Sequence, residues 1–329
     1  MSWYTTLIRS RRLRPVRMAA VITVALLGAS VTIIDSTATA TPVLTDASSS
    51  YSFATLNDPA DTTFNQLLGI NASGLIAGYF GSGMAGHPNR GYTLPNDGHG
   101  SYMNENFPGA AQTQVTGLNN TGITVGFEVD AKGDNSGFHN AGGRFHMANY
   151  PTNDMASPAV DQLLGVNDHG VRVGFYNDSK GNAHGYTYNI GMHRYGKVNV
   201  PGASSVTATA INNAGDIAGF ETNAAGNTVG FLLLNNGRVA TLNVPGSSMT
   251  QAFGVNDGDV VVGAYQVGTG NNAMSHGFVW APGLGFRNVD DPSGVGATTL
   301  NGINDHGRIV GFYTDSAGNT DGFLATPLG

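Results

Sequence analysis

Glutamate is scarce in this chain, and its three positions, Glu105, Glu128 and Glu221, are where acid–base chemistry would first be sought. Glu128 and Glu221 each stand nine residues after an asparagine of a repeated signature, where the other repeats place Phe80, Tyr176, Tyr265 and Tyr313. Aromatic rings and carboxylates on one rim are residue types that stack on a sugar and hydrogen-bond to it. With Asp130, the two glutamates are also the candidate acids of a hydrolase or lyase acting on polysaccharide. Spacing argues against catalysis. Paired glycosidase carboxyls sit about 5 Å or about 6.5–9.5 Å apart, whereas these two belong to repeats two apart and are expected to be further separated.

Five residues before each signature asparagine stand Gln66, Gln114, Gln162, Thr207, Gln251 and Thr299. They read as a polar ring, either a rim of donors and acceptors for a neutral polar ligand or a set of caps for backbone groups of the neighbouring repeat. The loops Asp178–Asn182 and Asp315–Asn319 offer oxygens to calcium through Asp178 and Asp315. One or two carboxylates per loop is thin for a calcium cage, and Asp and Asn close such turns unaided. No metal or other cofactor is therefore expected. His169 and His306 fall in equivalent turns, and His184 and His276 precede equivalent strands, without the spacing of a helical zinc site. Gly81–Gly86 matches a dinucleotide fingerprint by letter, but His87-Pro88 follows, where no helix can start. Three segments lengthen the repeat and are candidate specificity loops: residues 81–90, 152–161 and 267–276.

What positions these residues is a repeat. Signature asparagines occur at Asn71, Asn119, Asn167, Asn212, Asn256 and Asn304, spaced by 48, 48, 45, 44 and 48 residues. A glycine follows each by seven: Gly78, Gly126, Gly174, Gly219, Gly263 and Gly311. Gly-aromatic pairs end at Tyr92, Phe138, Tyr186, Phe231, Phe278 and Phe323, and Asn/Asp-x-Pro triplets end at Pro59, Pro108, Pro151, Pro201, Pro245 and Pro292. Each repeat reads as four short strands. In the third these are 162–166, 171–176, 185–188 and 197–200, with a tight turn at Asn167–Gly170 whose glycine supplies positive φ. The fifth repeat has Gly258-Asp259 there, so a different turn is expected.

A four-stranded unit of about 45 residues repeated six times predicts an all-β, six-bladed β-propeller with antiparallel blades. The last repeat ends after its third strand, and a lone fourth strand stands near Tyr51–Leu56, so the N-terminal strand is expected to close the last blade and leave no open edge there. On a hub-outward path, the second-to-third strand loops and the connections between repeats share one face.

Composition agrees. Glycine makes up 48 of 329 residues and charged residues only 11%, against about 7% and about 25% in ordinary domains. The N-terminus has the form of an export signal: Arg9, Arg11, Arg12, Arg14 and Arg17 precede an uncharged Met18–Ile34, and Ala38-Thr39-Ala40 marks a cut before Thr41. The alternative is an uncleaved N-terminal anchor outside the membrane. Residues 41–50 then read as a linker and 51–329 as the propeller. Removing residues 1–40 takes five of 15 basic residues and one of 22 acidic ones, leaving a net charge of −11. That balance excludes nucleic acid and anionic lipid as partners. With no cysteine, the chain has neither disulfides nor thiolate chemistry.

The run Gly302–Tyr313, followed by a Gly-Asn loop and a Gly-Phe pair, resembles the HAF-type extracellular repeat of bacterial secreted proteins. Its His-Ala-Phe triplet is nearest at His184-Gly185-Tyr186 and His276-Gly277-Phe278; elsewhere Arg90, Ser136, Val229 or Asp321 replaces the histidine, and glycine always replaces the alanine. The resemblance implies an exported repeat protein and brings no catalytic set. The expected protein is a monomeric, exported, non-catalytic binding or scaffold module for a neutral carbohydrate or a cell-surface protein.

Overall fold

The computed structural model describes residues 44–329 except 96, 269, 271 and 272. The export segment and its cut before Thr41 lie outside the described residues. The repeats form six four-stranded antiparallel blades in a ring, a six-bladed β-propeller. In blade 3, strands Asp161–Val166, Val171–Asn177, Ala183–Asn189 and Arg194–Lys197 pair in chain order. The outer strand thus ends where residues 197–200 were expected to begin it. Residues 198–201 serve as the crossing to blade 4, ending at a proline that has no N–H for a ladder.

Blade 6 is composite, as expected: Tyr51–Thr55 pairs antiparallel with Thr320–Pro327. Just before it, Thr45–Asp46 adds a short parallel strand to the outer edge of blade 5, against Arg287–Asn288. Apolar clusters fill the gaps between blades. Between blades 3 and 4, for example, Val173, Val198, Val206, Ala208, Ile217 and Phe231 pack together.

The spacings of the repeat now have physical causes. Every signature glycine on a second strand lies directly opposite the aromatic of the Gly-aromatic pair, from Gly78 and Tyr92 to Gly311 and Phe323. The six rings are at most 1% exposed. A Cβ on any of these glycines would run into the carbonyl oxygen of the first-strand residue just before the one it faces, Gln66 in the case of Gly78, so no larger residue fits. The first strands of all six blades pack around the axis. Each carries a bulge in the same place, and the extra residues (Leu68, Thr116, Leu164, Thr209, Phe253 and Asn301) line a narrow channel whose wall mixes polar and apolar groups.

The signature asparagines form a closed circuit at one end of that channel. Asn71 Nδ2 donates to the carbonyl of Asn119 at 3.1 Å, Asn119 to Asn167 at 2.9 Å, and Asn167 to Asn212 at 3.0 Å. Asn212 donates to Asn256 at 3.2 Å, Asn256 to Asn304 at 3.2 Å, and Asn304 back to Asn71 at 2.9 Å. Each Oδ1 meanwhile closes its own turn; that of Asn167 accepts the N–H groups of His169 and Val171. A second circuit runs through the next residue of each turn. The N–H groups of Ala72, Asn120, Asp168, Asn213 and Asp257 each donate to the following blade's side chain. It stops at Asp305, because Ala72 has no acceptor to offer.

The fifth turn is the same turn after all, a correction to the sequence reading. Gly258 and Val260 donate to Asn256 Oδ1, and Asp259 takes the left-handed conformation, φ 57°, that glycine holds elsewhere. Asp tolerates this region better than most residues, and its carboxylate accepts from Asn212 Nδ2 at 3.0 Å.

Asn167→Asp keeps the turn acceptor and deletes the inter-blade donor, whereas Asn167→Ala deletes both. Losing a buried donor costs about 1–3 kcal/mol, and each kcal/mol lowers the melting temperature of a domain this size by about 2–4 °C. Calorimetry should therefore show Asp lowering the melting temperature by about 3 °C or more, and Ala lowering it further. An Asp variant that melts like the wild type would show that the inter-blade bond is dispensable.

Candidate functional site

The glutamine ring lies inside the blade packing, and Gln114 also borders the channel beside Thr116 and Phe127. Gln66, Gln114 and Gln162 are buried, as are Thr207 and Thr299, and Gln251 is half-buried. Gln114 Nε2 donates to Asn89 Oδ1 and Gln162 Nε2 to Asn135 Oδ1, each across to the preceding blade at 2.9 Å. Gln66 Oε1 accepts from the Tyr79 hydroxyl at 2.7 Å.

The acids do not converge. Glu128 and Glu221 lie on the second strands of blades 2 and 4, with blade 3 between them. Burial pushes both carboxyls upward, and Asp130 and Asp134 add to the effect at Glu128. Asp130 closes its own loop by accepting the N–H groups of Lys132 and Asp134. Asp315 does the same with Ala317 and Asn319, its second oxygen taking the Asn319 amide.

The three rim tyrosines have different fates. Tyr265 is buried and donates to Asn288 Oδ1 at 2.9 Å, and burial raises its hydroxyl to about 12. Tyr313 is buried against Thr55 of the closing strand. Only Tyr176 stays half-open, stacked with Tyr150 (centroids 4.8 Å apart, 14°) and with His184 (5.0 Å, 24°).

These rings border a cleft of about 160 Å³ between blades 3 and 4. Blade 3 contributes Tyr176, His184, Gly185, Lys197 and Asn199, and blade 4 contributes Ser204 and Val206. Asp178 anchors one wall. Its carboxylate accepts from His184 Nε2 at 3.0 Å, from the Asn182 amide at 3.0 Å, and from the N–H groups of Lys180 and Asn182. The His184 bond, followed by these others, holds the carboxyl well below the usual range.

The cleft exists where a repeated latch fails to close. In four blades the Asn/Asp-x-Pro side chain accepts the N–H of the third-strand glycine. The pairs are Asn57 with Gly322, Asn106 with Gly91, Asn149 with Gly137 and Asp290 with Gly277, at 2.9–3.0 Å. Blade 4 instead continues its ladder, pairing Gly230 with Leu242. In blade 3 neither arrangement occurs: Asn199 is exposed, and it and the Gly185 N–H both border the cleft without a hydrogen-bond partner among the described residues. Sequence reasoning missed Asn199, because its triplet looks like the others. The available signal was tyrosine: five of twelve lie between Tyr150 and Tyr195.

Neither a family model nor a curated protein matches this chain. Solved structures do. The SapL1 lectin in complex with alpha methyl fucoside is 11% identical with a TM-score of 0.52, over 81% of this chain and 94% of that one. A triple-arginine mutant of AofleA from Arthrobotrys oligospora is 14% identical with a TM-score of 0.52, over 83% and 86%. A putative TolB from Agrobacterium tumefaciens is 11% identical with a TM-score of 0.50, over 80% and 91%. At these identities the likeness is one of fold.

Behind the stack, Asp161 is buried and accepts from the Tyr186 hydroxyl and the Tyr150 N–H, both at 2.6 Å. Burial raises its carboxyl from 3.8 to about 6 despite these bonds. Its contribution to stability is therefore complete below the unfolded value and lost as pH rises through the folded one, a change of roughly 3 kcal/mol. Relative to Asp161→Asn, the wild-type melting temperature should fall between about pH 4 and about pH 6.5. A flat difference curve would show that the carboxyl titrates normally.

Proposed function

We propose that this protein is a non-catalytic, saccharide-binding β-propeller, and that the cleft between blades 3 and 4 is its binding site. The observation that supports this most directly is the open latch. A main-chain N–H and an amide side chain, paired in most blades, are left free beside an aromatic wall. Sugar sites combine these elements: apolar ring surface for C–H faces, and a few fixed polar groups for hydroxyls. The volume, well below the roughly 300–1,000 Å³ of drug-sized pockets, suits one sugar ring of a longer chain running over the surface.

Likeness in fold to the fucoside-bound lectin fits this reading. The export signal and the resemblance to HAF-type extracellular repeats support a place outside the cell, cleaved or tethered by the N-terminal segment. Among the described residues no helix is long and apolar enough to cross a membrane. A polysaccharide hydrolase or lyase is less well supported, because Glu128, Asp130 and Glu221 share no cleft.

Screening the full-length protein against an oligosaccharide panel by thermal shift, then titrating the hits calorimetrically, tests the reading. His184→Ala and Asn199→Ala should each weaken saccharide binding about tenfold or more, equivalent to about 1.4 kcal/mol, with the unliganded melting temperature unchanged for Asn199→Ala, whose side chain has no internal partner among the described residues. Absence of any saccharide binding, or binding indifferent to both variants, overturns it.

A further inference from the structure

Resting on the saccharide-binding reading, we infer that the cleft selects an acidic sugar and holds a uronate carboxylate between Lys197 and the Gly185 N–H. Charge distribution is the first argument. The chain has three lysines, Lys132, Lys180 and Lys197. Lys197 lines the cleft, and Lys180 stands on the Asp178–Asn182 loop that leads into its wall. In a chain this acidic, one of the three lysines thus lines this small cleft and a second stands on the loop beside it.

The second argument is that Lys197 has no internal partner. Among the described residues no carboxylate lies within ion-pair distance of it, whereas Lys180 already acts on Asp154 of the neighbouring loop. The nearest acid built into the wall, Asp178, has both oxygens occupied by His184, Asn182 and the turn N–H groups. Lys197 therefore keeps its charge for a ligand. The third argument is the donors among the groups that border the cleft: Lys197, the unpaired Gly185 N–H and the NH2 of the Asn199 amide. A neutral hydroxyl needs a donor and an acceptor in balance, whereas an anionic oxygen is served best by donors, and charge-assisted bonds are about twice as strong as neutral ones. The His184 face and Val206 remain for the apolar side of the ring.

Calorimetric titration of the full-length protein with an oligogalacturonate, its methyl ester and a sulfated neutral oligosaccharide tests this. The oligogalacturonate should bind about tenfold tighter than its ester, with a preference that shrinks as salt rises from about 0.05 to about 0.5 M. Lys197→Met should bring the two affinities together, while Lys132→Met, on a blade 2 loop, leaves the preference intact. Equal binding of acid and ester in the wild type overturns the inference and leaves the saccharide reading standing. Tighter binding of the sulfated oligosaccharide than of the oligogalacturonate overturns the carboxylate assignment. Binding of none of the three, together with an empty neutral panel, overturns both.

Discussion

Six amide side chains hold this ring shut. A propeller has to return to its start, and each blade must meet the next at the same angle for the last to meet the first. The asparagine circuit enforces this, since every Nδ2 finds the same carbonyl on the next blade and every Oδ1 fixes the turn that presents it. One residue type thus sets both the local hairpin and the global angle. The bulge that follows from it sends one residue per blade to the axis. The channel is narrow as a result, its wall mixing Leu68, Leu164 and Phe253 with Thr116, Thr209 and Asn301.

The proposed binding chemistry lies at a junction between blades, where the repeat is least strict. The glycine–aromatic pairs and the asparagine turns are the same in every blade, but the Asn/Asp-x-Pro latch is closed in four blades, replaced by ladder in a fifth and open in the sixth. Blade 3 also holds the stack of Tyr150, Tyr176 and His184. A strict frame with one relaxed junction is an economical way to place a cleft on a rigid scaffold.

The fold was legible in the sequence because its causes are local and repeated. Asn71 to Asn304, the glycines facing the rings, and the orphan strand at Tyr51 each announce one geometric demand six times, or once where the ring must close. The cleft was legible only in part. Asn199 has the same neighbours in sequence as Asn149, and whether its side chain reaches the glycine depends on where the outer strand leaves the sheet. That point was misplaced at residues 197–200. Equivalent positions also misled: Tyr176, Tyr265 and Tyr313 share a register, yet the closing strand covers one and Asn288 pins another. Coverage by segments distant in sequence has no local signal.

The missing acceptor at Ala72 gives the ring a seam. Between blades 6 and 1 the second circuit is broken, and Arg308 reaches across instead to both oxygens of Asp97 at 2.8 Å. This is the one ion pair without histidine among the described residues. Half-exposed charges of this kind are screened by salt, whereas the amide bonds at the other five junctions are not. What that ion pair adds to closure of the ring accordingly shrinks as ionic strength rises. In a six-membered ring the junction diametrically opposite is that of blades 3 and 4. The cleft thus sits as far from the salt-sensitive seam as the architecture allows.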